Sequence, residues 1–458
     1  MREKRTDMTD GAGPKRFATA IVVLLCLILV FSVIAYGAVD AGATGLLAFF
    51  LIMVLLLWLA GSLRSGELSF STDPTQYAIT GMILIGLVQL LPLGGSGGSD
   101  LGAALSVPAS RTLSLDQNAT RMAVIRLVEY AVYFAAALSF FSDKKQFRRV
   151  VKAVIIFGAL IAVFAILQKL LNPDNIYGAR QTVQASSFGP YVNSHHFAGL
   201  MEMTLGLSLG LLYGKSVKKE LRVIFLLAAV LMGIALVMTG SRGGMISLLG
   251  VLGAVTIFAF LKKGERGENR EAGEASNKRR KLLLTGGGLA FFLLIAGIAV
   301  LMNDSALRGL GIENNTADLS NGRTHFWYVA LQIFKDNFLL GAGLDAFGVA
   351  FTKYDTWNGV FRIEQAHNDY LQVLADAGIF GLACVLGFIY FLFRQGLRVF
   401  FSTSDRFRNS VAAGALAGCF GIMIHSFFDF PLRTPANMFV FLTLAALAIS
   451  EVRSKTDT

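Results

Sequence analysis

Glu364, Gln365, His367, Asn368 and Asp369 gather an imidazole, two carboxylates and two amides within six residues. Groups of these types can together hold a hydroxyl or take its proton, because histidine changes charge near neutral pH. They can equally cap the helix implied by the apolar run after Tyr370. Later in the chain, His425 and Asp429 are four residues apart, the spacing that puts two side chains on one helical face. A bracing hydrogen bond between these two is the expectation.

Anion chemistry is suggested at two other places. Thr239, Gly240, Ser241, Arg242, Gly243 and Gly244 form a turn in which glycines let a ligand approach the backbone. The helix that follows offers free N–H groups, and Arg242 adds a forked cation, a combination suited to phosphate. A tight turn carrying a snorkelling arginine has the same appearance. The second place is Gly322-Arg323, which opens a helix through His325 and Trp327 and serves either as an anion site or as an interfacial anchor.

Charged groups inside apolar segments are costly, so each needs a role. Arg126 and Glu129, three apart, are expected to pair. Glu202 follows His195 and His196 by about two turns and either binds a partner arginine or lines a cavity. Asn193 or Ser194 is suited to cap the helix carrying them. Adjacent histidines point roughly 100° apart on a helix, which makes His195 and His196 poor joint metal ligands. The three cysteines, Cys26, Cys384 and Cys419, lie in apolar stretches without paired spacing, so no metal site is expected. Gly341 to Ala346 matches GxGxxA, but with no strand before it a dinucleotide site is discarded.

The elements that position these groups are membrane spans. Of 458 residues, 54% are hydrophobic and 16% charged, against roughly 25% charged in a soluble domain. A net charge of +11 would suit nucleic acid only if the basic residues lined one face of a soluble module, whereas here they stand in short runs between apolar segments. Segments near 17–38, 42–63, 77–93, 122–142, 150–171, 195–214, 221–239, 243–261, 282–302, 374–393, 410–428 and 435–452 satisfy the length of about 20 apolar residues needed to cross a bilayer. The whole chain, 1–458, therefore reads as a single all-α integral membrane domain, a polytopic transmembrane helical bundle.

Lys15, Arg16, Lys144, Lys145, Lys218, Lys219, Lys262 and Lys263 mark the cytoplasmic loops, because basic short loops stay inside. Both termini are then cytoplasmic, and residues 262–281 form a charged cytoplasmic linker. Residues 303–373 make one long periplasmic loop, in which Phe326, Trp327, Ala330, Leu331 and Phe334 recur at the spacing of an amphipathic helix lying on or near the membrane.

In order, the stretch from Asn193 to Gly199, the Ser241–Gly244 turn, Gly322-Arg323 with Trp327, Asp336 to Gly343, His367 to Leu371, and His425 with Asp429 and Pro431 resemble the O-antigen ligase and O-antigen polymerase superfamily of bacterial membrane glycosyltransferases. Phe338 departs from the pattern, where the family often has proline.

The resemblance implies a GT-C-like helical fold in the bacterial inner membrane. It also implies transfer of a glycan from an undecaprenyl-diphosphate-linked donor to an acceptor hydroxyl on the periplasmic side, without metal, nucleotide or other cofactor. Arg242 and Arg323 would neutralise the diphosphate, and His367 would orient or deprotonate the acceptor. Asn193, His196, Glu202, Asn368, Asp369, His425 and Asp429 fall in the matching motifs as substrate-binding candidates. Ligase-type transfer to lipid A core or another surface glycoconjugate is favoured over polymerisation of O-antigen or exopolysaccharide. A lipid-linked sugar transporter would carry polar residues toward the inner face as well, where this chain is nearly all apolar.

Overall fold

The computed structural model describes residues 12–93, 112–182, 186–264, 322–357 and 363–450. Thirteen α-helices fall within them: α1 Ala12–Ile34, α2 Ala41–Ser65, α3 Thr75–Gln89, α4 Gln117–Phe140, α5 Lys144–Leu171, α6 Ser194–Tyr213, α7 Arg222–Met238, α8 Arg242–Gly264, α9 Arg323–Asp336, α10 Phe347–Tyr354, α11 Asp369–Ser402, α12 Arg406–His425 and α13 Pro435–Ile449. The strand content among the described residues is a two-residue hairpin, Asn175–Ile176 against Arg180–Gln181. The protein is an all-α polytopic membrane protein.

Eight of these helices are long and apolar enough to cross a membrane. The expected spans at 77–93, 195–214 and 435–452 correspond to α3, α6 and α13, which fall outside those eight; α3 and α13 have 15 residues each. Nearly all of α13 is buried by other helices. The expected span at 282–302 lies outside the described residues, as does most of the 262–281 linker.

Acidic and amide residues set where helices begin. Asp116, Asp143, Asn193, Asn368 and Asp405 each accept a hydrogen bond from a backbone N–H in the first turn of α4, α5, α6, α11 and α12, satisfying donors that otherwise have no intrahelical partner.

The centre of the bundle is the antiparallel pair α6 and α12. A Cβ on Gly206 would sit 2.6 Å from the Gly418 nitrogen, and one on Gly210 would sit 2.4 Å from the Gly414 Cα. Lipid chains are as apolar as leucine, so membrane helices associate by close packing, and small residues allow that packing. This approach brings Glu202, one turn before Gly206, beside the end of α12.

The predicted loop helix forms as α9, with its buried face rotated from the expected one. Phe326, Val329, Ala330 and Ile333 are buried, whereas Leu331 is exposed. They pack on Phe347, Phe351 and Ala375 in a small core of their own. The loop expected to run to 373 ends earlier, because α11 begins at Asp369. Within α11, Gly378 leaves helical geometry at φ 64°, and the Phe338–Gly343 segment fills the kink. Ala342 and Gly343 donate N–H groups to the Ala375 and Asp376 carbonyls, and Ile379 donates to Phe338 O. Gly341 lies directly against the Asp376–Ala377 backbone. The Gly341 to Ala346 stretch thus docks the loop onto a helix.

Candidate active site

The backbone enters the site through His367, whose φ of 49° is left-handed. Such a conformation costs a non-glycine residue about 1–2 kcal/mol and persists where surrounding contacts enforce it. Those contacts come from the end of α12. Asp369 N–H donates to Ser426 O at 2.9 Å. Ser426 Oγ donates to Asp369 at 2.7 Å, Asn368 Nδ2 donates to Phe427 O at 3.1 Å, and Tyr370 OH donates to Met423 O at 2.8 Å. The segment from His367 to Tyr370 is therefore laced onto Met423 to Asp429.

This lacing brings His367 Nδ1 to 3.0 Å from Asp429 Oδ1. A carboxylate only accepts, so Nδ1 carries the proton, and in the neutral imidazole Nε2 is left with its lone pair. Arg323 Nη2, at the start of α9, stands 3.5 Å from the other oxygen of Asp429. His367 is 31% exposed and Arg323 25%, whereas Asp429 is 2% exposed. A buried carboxylate thus holds a reachable base and a reachable cation. Burial alone would push the Asp429 carboxyl up, but the hydrogen bond from His367 holds it well below the usual carboxylate range.

His425 and Asp429 do not bond through their side chains, contrary to the expectation from their spacing. Helix α12 ends at His425, and the following turn sends the two side chains apart. His425 Nδ1 donates to Glu202 Oε1 at 3.3 Å, and its Nε2 lies 3.3 Å from Ser241 Oγ. Glu202 also accepts from Ser247 Oγ, so its partners are a histidine and a serine rather than an arginine. Ser241 precedes Arg242, the exposed first residue of α8. A Cβ on Gly243 would lie 2.8 Å from the His425 ring and 3.1 Å from Phe428 Cβ, so the Arg242 turn rests on the segment that ends in Asp429.

The remaining candidates have structural partners. Asn193 and Asn368 cap α6 and α11. His196 Nδ1 lies 2.6 Å from Thr434 Oγ1, and its backbone oxygen accepts from Asn437, which fastens it to the start of α13. Among the described residues, no group of three or more His, Cys, Asp or Glu side chains is placed to hold a metal.

Beside the cluster, a cavity of about 270 Å³ lies between α3, α4, α11 and α13. Leu344, Val373, Phe388 and Phe441 give it apolar walls, and Arg126, Asp345, Asp376 and Arg433 make it polar on one side. Arg126 pairs with Asp345 at 3.8 Å rather than with Glu129. Arg433 pairs with Asp345 and Asp376 and donates to Gln365 at 2.8 Å.

Sequence reasoning did not select Arg433, Asp345 or His195 as site residues. Arg433 and Asp345 lie in connecting segments whose pairing no helical spacing encodes. His195 was available as the neighbour of His196.

No curated protein matches the chain. Residues 227–386, which include Arg242, Arg323 and His367, match the family model described as O-antigen ligase.

Proposed function

We propose that this protein transfers a glycan from undecaprenyl diphosphate to an acceptor hydroxyl at the periplasmic face of the bacterial inner membrane. The reading is carried by the His367–Asp429 pair with Arg323 beside it, on the shoulder of an apolar cavity in a membrane bundle. His367 Nε2 takes the acceptor proton as its oxygen attacks the anomeric carbon. The bond from that carbon to the diphosphate oxygen breaks, and the electron pair leaves with undecaprenyl diphosphate. Asp429 keeps the imidazole in the required tautomer and offsets the positive charge that develops on it. Arg323 and Arg242 neutralise the diphosphate as its charge grows, which is the main electrostatic task of such a transfer. The cavity walls suit a hydrocarbon chain, in keeping with a lipid-linked substrate.

Within the superfamily, ligase-type transfer to lipid A core or a related surface acceptor is the favoured reading, and chain polymerisation is the second. Surface glycans of a strain lacking the protein separate the two. Loss of a ligase leaves full-length polymer on its carrier, whereas loss of a polymerase leaves single repeat units. Unchanged surface glycans would count against both.

A further inference from the structure

Ser241, His425 and Glu202 are connected in the order of a serine-hydrolase triad, with His425 between the other two, yet none of them touches solvent. All three are 0% exposed. The Ser241 hydroxyl is already engaged, because it accepts the Gly244 N–H at 3.1 Å and so caps the first turn of α8. A nucleophile has to be reached by its substrate, and this serine is not. The group is also an expensive one to keep inside a membrane protein, where a carboxylate and an imidazole have lost their hydration. A role is therefore required, and the polar contacts indicate what it is.

Every hydrogen bond from this pair to another helix ends on the beginning of α8. His425 Nε2 meets Ser241 Oγ, and Glu202 accepts from Ser247 Oγ, about two turns into the same helix. Gly244 has no side chain, and a Cβ there would lie 2.8 Å from Ala198 on α6, so the turn is pressed onto α6 as well as onto His425. Arg242 stands between these two contacts and is exposed. At its other side His425 leads into the short segment whose Asp429 holds His367. One buried pair thus contacts the Arg242 turn and also adjoins the segment that carries Asp429.

We propose that Glu202 and His425 are positioning residues for Arg242, acting through the Ser241 hydroxyl to aim its guanidinium at the donor diphosphate. The proposal rests on the reading above that Arg242 grips that diphosphate. A fork that must meet phosphate oxygens in a defined plane is sensitive to the angle of its backbone, so a clamp on residues 241–247 affects affinity for the donor.

The test is a double-mutant cycle on the full-length protein in lipid nanodiscs, with undecaprenyl-diphosphate-linked glycan as donor and melting temperature read alongside. Glu202→Gln preserves shape and removes the charge. It is expected to lower kcat/KM for the donor about tenfold in the parent, and to add nothing once Arg242→Ala is present, because coupled residues are non-additive. Ser241→Ala breaks the link while leaving the buried pair intact, and should behave the same way; it serves alone if Glu202→Gln does not fold. Equal fold losses on both backgrounds, or a loss that simply tracks a fall in melting temperature, would overturn the positioning role. An Arg242→Ala protein with the parent kcat/KM would overturn that role together with the assignment of Arg242 to the donor.

Discussion

His367 Nδ1 lies 3.0 Å from Oδ1 of Asp429, a bond that spans 62 positions of the chain and joins the start of α11 to the turn after α12. It leaves Nε2 as the basic atom and makes His367 the proton acceptor in the proposed transfer. Replacement by glutamine keeps a polar side chain of similar reach but cannot take a proton. Turnover of His367→Gln is expected to fall about 10²- to 10⁴-fold, the usual loss when a general base is removed. A radiolabelled glycan-transfer assay measures it, and a rate near that of the parent would leave His367 with positioning alone.

Asp429 should not be the group that titrates in the working pH range. Its folded carboxyl is held below the usual range by the His367 bond, against the opposing effect of burial. A depressed value means that its contribution to stability is present above the unfolded value of about 3.9 and is lost as pH falls through the lower folded value. Between roughly pH 5 and 8 Asp429 therefore takes up no proton. Asp429→Asn should lower the plateau of the kcat/KM profile across that window, because the acceptor that fixes the His367 tautomer is lost. An Asp429→Asn protein with the parent plateau would leave Asp429 without that role.

The glycine contact between α6 and α12 should decide stability. A Cβ on Gly210 would lie 2.4 Å from the Gly414 Cα, with backbone on the far side that cannot swing away. Gly210→Leu is expected to destabilise by about 1–3 kcal/mol or more, seen as a lower melting temperature in detergent. Gly233 on α7 has nothing within 4 Å of an added Cβ, so Gly233→Ala should be neutral or stabilising by about 0.5–1 kcal/mol. Equal responses at the two sites would refute the close-packing account.

If the cavity holds a lipid chain, filling it should discriminate by chain length. Val373 is half-buried and lines the wall on α11. Val373→Trp should raise KM for a long-chain carrier donor by about tenfold and have less effect on a short-chain analogue, since each buried methylene contributes about 0.8 kcal/mol. The same KM change for both donors would separate the cavity from lipid binding.

Orientation is open to a direct measurement. A reporter inserted in 262–281 should be cytoplasmic and one in 303–320 periplasmic, as the basic runs around Lys262 and Lys278 require. The reverse pair of results would move the proposed site to the other face of the membrane.

The sequence by itself determined the all-α membrane class and most of the long helices, and it singled out the candidate residues. Apolar runs near the length of a bilayer cannot be anything but buried or lipid-facing helices, because only helices satisfy their own backbone in hydrocarbon. Asp and Asn before several of these runs mark where α4, α5, α6, α11 and α12 begin. Arg242, Arg323 and His367 stand out as costly polar residues in ordered motifs. What a helical period cannot encode is the partner on another helix. The spacing of His425 and Asp429 suggested a bond within one helix, yet α12 stops at His425, and the two side chains reach Glu202 and His367, 223 and 62 positions away. Arg126 likewise passes over Glu129 for Asp345 in a distant loop. These pairings depend on how closely the helices approach, set at the centre by Gly206 and Gly210 against Gly414 and Gly418, and that distance exists only once the bundle has packed.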